Sequence, residues 1–155
     1  MVLKQWGYGV ISSDIVERGY GLDFKKDFFL FQNLPYPCRA IVTNPPYETE
    51  SARGKMRVED WVRHAVAMPD LDMLALFLKT TALGGKRRSR ILENSGLAWM
   101  LQFRGRVTLY RNGLKDEDSH TGMMDFAWYI FKKDYSDYPR IKWIEEVTDG
   151  QLELF

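Results

Sequence analysis

Cysteine and histidine are scarce. The chain holds one cysteine, Cys38, and two histidines, His64 and His120, among 155 residues. A lone cysteine excludes an intrachain disulfide and a cysteine-rich zinc site. Two histidines are too few for a convincing metal cluster, so no metal is expected. No apolar run is long enough to span a bilayer, and the N-terminus has no secretory apolar core. The expected setting is reducing and cytoplasmic, with no membrane partner. Internal repeats and low-complexity tracts are absent too. Net charge is nearly nil, at +1, so bulk charge carries no information on nucleic acid.

At this length, with 45% hydrophobic residues, the chain fits one domain with a real core. Its charge is unevenly spread. Residues 79–111 hold eight Lys/Arg against Glu93 alone, whereas 112–155 hold ten Asp/Glu against five Lys/Arg. The middle segment is a candidate phosphate-facing surface.

The stretch around which the chain is organised is Ala40-Ile41-Val42-Thr43-Asn44-Pro45-Pro46-Tyr47. A short apolar run reads as a buried strand and stops at two prolines. Proline cannot donate to a sheet ladder and biases the residue before it toward extended geometry. The turn is therefore stiff, and it holds Asn44, an amide that both accepts and donates. Tyr47 adds a flat aromatic face. The group suits a planar substrate that carries an amino group. The plainer alternative is ordinary loop punctuation, with Asn44 closing a turn.

Ahead of this stretch, Met1 to Trp6 reads as a helix tail stopped by Gly7 or Gly9. Residues 8–14 read as a short strand ending in Asp14. An acid at that place accepts ribose hydroxyls in nucleotide-binding α/β folds; a turn-forming Asp is the alternative. Asp27-Phe28-Phe29 follows a charged loop over 16–26 and reads equally as a capping Asp before a core Phe.

Behind it, residues 48–57 are polar and read as a mobile loop. Residues 58–68 have apolar positions at helical spacing, and His64 in that helix reads as a surface or packing residue. Residues 71–78 form a nearly continuous apolar run, as in a strand buried on both faces. Gly84-Gly85 precedes Lys86-Arg87-Arg88-Ser89-Arg90, four cations in five residues that suit a phosphate backbone. A solvated helix start is the alternative, although cations there oppose the helix dipole. Ile91, Leu92 and Leu97 suggest a short helix before Gly105. Residues 106–111 and 126–131 then read as neighbouring strands of an antiparallel hairpin, and 141–144 as a short edge strand. The order of elements implies an α/β sandwich.

Asn44-Pro45-Pro46-Tyr47 resembles the catalytic motif of the S-adenosylmethionine-dependent amino-methyltransferases, mainly the adenine-specific DNA methyltransferases of phage type. The resemblance implies a Rossmann-like sandwich, a mostly parallel sheet with one C-terminal antiparallel strand. It implies S-adenosylmethionine as cofactor, held by Asp14 on the ribose and by Asp27 and Phe28 on the adenine. Asn44 and the Pro45 carbonyl would accept the hydrogens of the target amine, Pro46 would complete the corner, and Tyr47 would stack on the base. DNA would be the partner, gripped by Lys86, Arg87, Arg88 and Arg90. The family's Gly-rich turn, which follows its first strand, has no counterpart here. The first strand is thus expected to be missing, with cofactor binding weak or lost unless another segment fills the gap. A truncated product, a fragment of a longer chain and a half completed by another chain all fit. A sheet edge left open this way invites a second copy. A protein-glutamine or RNA-adenine methyltransferase, and a non-catalytic remnant that binds nucleic acid, remain as rival functions.

Overall fold

The structure is a computed structural model and describes residues 2–19, 21–105, 107 and 124–145. Its centre is the apolar run foreseen over 71–78, which forms the strand Met73–Lys79. In chain order the elements are α1 (Val2–Gln5), β1 (Ser13–Asp14), β2 (Phe24–Lys25), β3 (Ala40–Thr43), β4 (Glu48–Ser51), β5 (Gly54–Arg57) and α2 (Val58–Val66). They continue with β6 (Met73–Lys79), α3 (Lys86–Glu93), β7 (Leu97–Phe103), β8 (Phe126–Lys132) and β9 (Arg140–Ile144). Short 3-10 turns lie at Phe28–Leu30 and Thr80–Leu83.

Five strands form one sheet in the order β3-β6-β8-β7-β9. β3 pairs with β6 in parallel, as β9 does with β7, while β8 is antiparallel to both β6 and β7. The architecture is α/β with a mixed sheet. Its ladders divide evenly between the two kinds, so the expectation of a mostly parallel sheet is corrected at the level of pairing. By direction, four strands run alike and β8 alone is reversed. β8 lies between β6 and β7 and so is interior to the sheet. β1 and β2 form a separate two-residue parallel ladder.

β6 is buried on both faces for a simple reason. Leu74, Leu76 and Leu78 face Val58, Val62 and Ala65 of α2, together with Leu92, Leu97, Tyr129 and Phe131. On the opposite face Phe77 stacks on Phe126 at 5.0 Å and meets Trp128 at 5.1 Å and Phe103 at 6.0 Å. Each buried Leu contributes about 1.5–3 kcal/mol. Exposed ion pairs such as Arg39–Asp72 contribute about 0–1 kcal/mol and are secondary.

Several sequence expectations change. The strand expected over 8–14 is reduced to Ser13–Asp14. The polar stretch 48–57 is an antiparallel hairpin, with Glu48 reaching Lys55 at 2.6 Å and Arg57 at 3.6 Å across it. These exposed cross-strand charges add a little, Gly54 at φ 95° allows the tight turn, and Asp27 ties the hairpin down through Ser51 and Ala52. Of the short helix expected from Ile91, Leu92 and Leu97, the first two lie in α3, whereas Leu97 opens a strand over Leu97–Phe103. Short apolar runs do not separate helix from strand by spacing alone. The strand expected over 106–111 falls outside the described residues apart from 107, and with it the hairpin to 126–131. β9 matches the expected edge strand, and four of its five residues are exposed. At the other edge, β3 has no outer strand partner among the described residues, and its Val42 is 47% exposed. Among the described residues no helix is long and apolar enough to cross a membrane.

Gly96 opens β7 at φ 74°, and a Cβ there would lie 2.5 Å from the Lys132 carbonyl oxygen. That carbonyl belongs to backbone already fixed by the Lys132 N–H, which donates to the Gly96 carbonyl at 2.9 Å. Gly96→Ala is expected to destabilise the fold by more than about 1 kcal/mol, because strain and collision add. A thermal melt at the parent temperature would contradict this packing.

Candidate active site

β3 ends at Thr43, opposite Leu76, and β6 runs three residues further to Lys79. Residues 44–47 turn beside that projecting end. Pro45 is fully buried and anchors the corner, while Asn44 and Pro46 are exposed. Among the described residues neither the Asn44 amide nor the Pro45 carbonyl has a hydrogen-bond partner. The corner thus presents a side-chain oxygen and a main-chain oxygen to solvent at the carboxyl end of a parallel pair.

Tyr47 closes the corner on β6. Its hydroxyl accepts from the Lys79 N–H. Tyr129 of β8 donates to the Lys79 carbonyl at 3.2 Å and the Thr80 carbonyl at 3.1 Å. Two phenols therefore hold one peptide strand end, one on its donor and one on its acceptors. Burial lifts the Tyr47 phenol above its ordinary value, against the opposing effects of the Lys79 N–H and the Arg88 charge. Burial also pushes the Tyr129 phenol strongly up, with Tyr47 adding to it. Both are neutral at physiological pH. The Tyr47 ring is 38% exposed, and the Lys79 ammonium lies 5.2 Å from its centroid. One side of the ring is thus shared with a cation.

The other named residues are engaged with the protein. Asp14 accepts from the Val16 N–H at 3.1 Å and from Arg18 at 2.9 Å, which is the turn-forming role. Asp27 caps the 3-10 turn by accepting from the Phe29 N–H at 3.0 Å. Its second oxygen accepts from Ser51 Oγ at 2.7 Å and the Ala52 N–H at 3.0 Å, tying the β4–β5 hairpin back over the turn. A carboxylate offers about four acceptor positions. Asp14 therefore keeps about two for a ligand and Asp27 about one. Phe28 stacks on Trp61 at 4.3 Å and meets His64 edge-on at 5.1 Å, so one ring face is taken. His64 belongs to this aromatic cluster, and burial lowers its pKa despite nearby carbonyls of Phe31 and Phe28. It is a neutral packing residue.

The basic run is split. Arg88 is 33% exposed and turns to the buried Glu59 of α2 at 3.5 Å, while Lys86, Arg87 and Arg90 stay at the surface. Sequence reading missed Tyr129, Lys79, Glu59 and Trp61. Tyr129 was legible only as one aromatic in a strand, and its alignment with Lys79 needed the register of β8 on β6. No family model, curated protein or solved structure matches the chain.

Tyr47→Phe is expected to leave the Lys79 N–H without its acceptor, at a cost of about 1–3 kcal/mol. Hydrogen exchange at that amide should quicken relative to its β6 neighbours, and unchanged protection there would rule out the clamp.

For Asp27, burial acts to raise the pKa, but hydrogen bonds from Ser51, Ala52 and Phe29 and the Arg53 charge outweigh it and the net shift is down. A depressed carboxylate stabilises the fold above its unfolded pKa of about 4 and loses that contribution as pH falls through the lower folded value. Asp27→Asn should therefore lower stability at pH 7 and flatten the acid limb below about pH 4. Parallel acid-unfolding curves for the two proteins would argue against this linkage.

Proposed function

We propose that this chain is an amino-methyltransferase-like domain of Rossmann type, acting on the exocyclic amine of adenine in DNA. The observation that carries the reading is the pair of oxygens, on Asn44 and Pro45, left without a partner among the described residues at the carboxyl end of β3. Ligands of open α/β sheets sit at that end. The strand directions agree with it, since four run alike and one reversed strand lies among them.

S-adenosylmethionine would supply a methyl group on a sulfonium, already an excellent leaving group. The difficulty lies with the amine, whose lone pair is delocalised into the purine. Asn44 Oδ1 and the Pro45 carbonyl oxygen accept its two hydrogens and draw the nitrogen toward tetrahedral geometry. The sulfur would leave as a neutral thioether, and the surplus proton of the methylated amine would pass to solvent at this exposed corner. The proline pair keeps both acceptors fixed, so little reorganisation is needed at reaction. Tyr47, held at its hydroxyl, offers the remaining side of its ring to the base. In duplex DNA the base must first leave the stack, at about a few kcal/mol. Asp14 retains acceptor positions for ribose hydroxyls, and Asp27 retains about one for an adenine amine.

The second reading, a non-catalytic remnant, is favoured by the engagement of Asp14 and Asp27 with the protein itself. Calorimetric titration with S-adenosylmethionine separates the two, and no heat at millimolar cofactor leaves the remnant. Asn44→Ala should lower methyl transfer to adenine-containing DNA by at least about a hundredfold while cofactor binding stays near the parent value. Loss of both together assigns Asn44 a structural role.

A further inference from the structure

Lys86, Arg87 and Arg90 line one open groove together with Arg63 of α2, above Ile91. Lys86 and Arg90 are four residues apart and Arg87 and Arg90 three, so all lie along one side of α3. That stripe covers about 6 Å of helix axis. Among the described residues Arg63, Lys86 and Arg90 have no ion-pair partner, and Arg87 only approaches Asp60 at 4.0 Å. The helix start has no acid in its first turn, and its N-cap, Gly85, provides no side-chain cap. Four like charges therefore converge with only Asp60 near them among the described residues, and two of them, Lys86 and Arg87, sit in the first turn of α3, where the helix dipole also repels cations. An anion relieves both penalties. The groove follows the corner's anchor in the chain: the 3-10 turn Thr80–Leu83 joins Lys79 to α3.

We propose that Arg63, Lys86, Arg87 and Arg90 form a site for the phosphate backbone of duplex DNA, with Arg88 excluded from it. This rests on the reading of DNA as substrate and adds Arg63, from the other helix, to the contact. One strand presents a phosphate every 3.4 Å along the axis, so the stripe spans about two phosphates. Such a site positions the duplex and carries no base information.

The test is fluorescence anisotropy of the whole chain with a labelled DNA duplex over a salt series. Arg63→Gln combined with Arg90→Gln should reduce the slope of log affinity against log salt by about 2 and weaken binding at low salt. Lys86→Gln combined with Arg87→Gln, checked by circular dichroism, should do the same. Arg104→Gln combined with Lys142→Gln, at the β9 edge, should leave the slope unchanged. No DNA binding by the parent, unaltered slopes in both groove variants, or an equal loss in the edge variant overturns the site. Tighter binding to an RNA duplex overturns the DNA assignment. Cofactor calorimetry on the same proteins keeps the readings apart, because groove-dependent DNA binding without cofactor heat retains the groove and removes methyl transfer.

Discussion

Everything at the candidate site depends on one offset. β3 stops at Thr43 while β6 continues to Lys79, and the turn 44–47 fills the step between them. The prolines make that turn stiff, and burial of Pro45 roots it in the core. Its far end is fixed at Lys79, whose N–H meets Tyr47 and whose carbonyl meets Tyr129. Tyr129 is fully buried in β8, so the reversed strand braces the corner of a parallel pair. A corner built this way holds its geometry without any bound ligand, as a site must if it is to work by orienting acceptors.

The same neighbourhood explains why one arginine behaves unlike its neighbours. Glu59 is only 4% exposed, and a buried carboxylate without a counter-charge is costly. Arg88 supplies that charge from α3, and the pair couples the two helices that flank the groove. Losing Arg88 leaves Glu59 buried and uncompensated, which is worse than never having had the pair, whereas the partly exposed Arg88 can turn to solvent. Arg87 only approaches Asp60, and among the described residues Arg63, Lys86 and Arg90 have no ion-pair partner. Lys86 and Arg87 in the first turn oppose the dipole of α3.

The legible parts of the sequence were those where one local rule ruled out the alternatives. Met73–Lys79 was favoured as a strand over a helix segment by its short apolar length and by the break at Pro69-Asp70 before it. Val58–Val66 had to be a helix because its apolar residues recur at helical spacing. Asn44 to Tyr47 was legible as a rigid corner because proline chemistry is local. The rest depended on contacts distant in sequence. The β4–β5 hairpin rests on Glu48 finding Lys55 and on Asp27 finding Ser51. The strand Leu97–Phe103 was chosen by its ladder with β8, a preference invisible in seven residues. The Tyr129 brace needed a register that no single segment contains.

The two halves of the proposed site are held by very different means. The acceptor corner is tied to β6, an interior strand of a five-stranded sheet. Asp14 lies on a two-residue ladder outside that sheet, steadied by the paired Ser12 and Asp23. Opening such a ladder exposes few backbone bonds and little apolar surface, so it belongs to the low-stability end of the fold. Ligand contacts there must supply part of the ordering themselves, whereas contacts at Asn44 meet a surface already in place. Any free energy lost to ordering thus falls at Asp14, and the corner at Asn44 remains the better organised of the two.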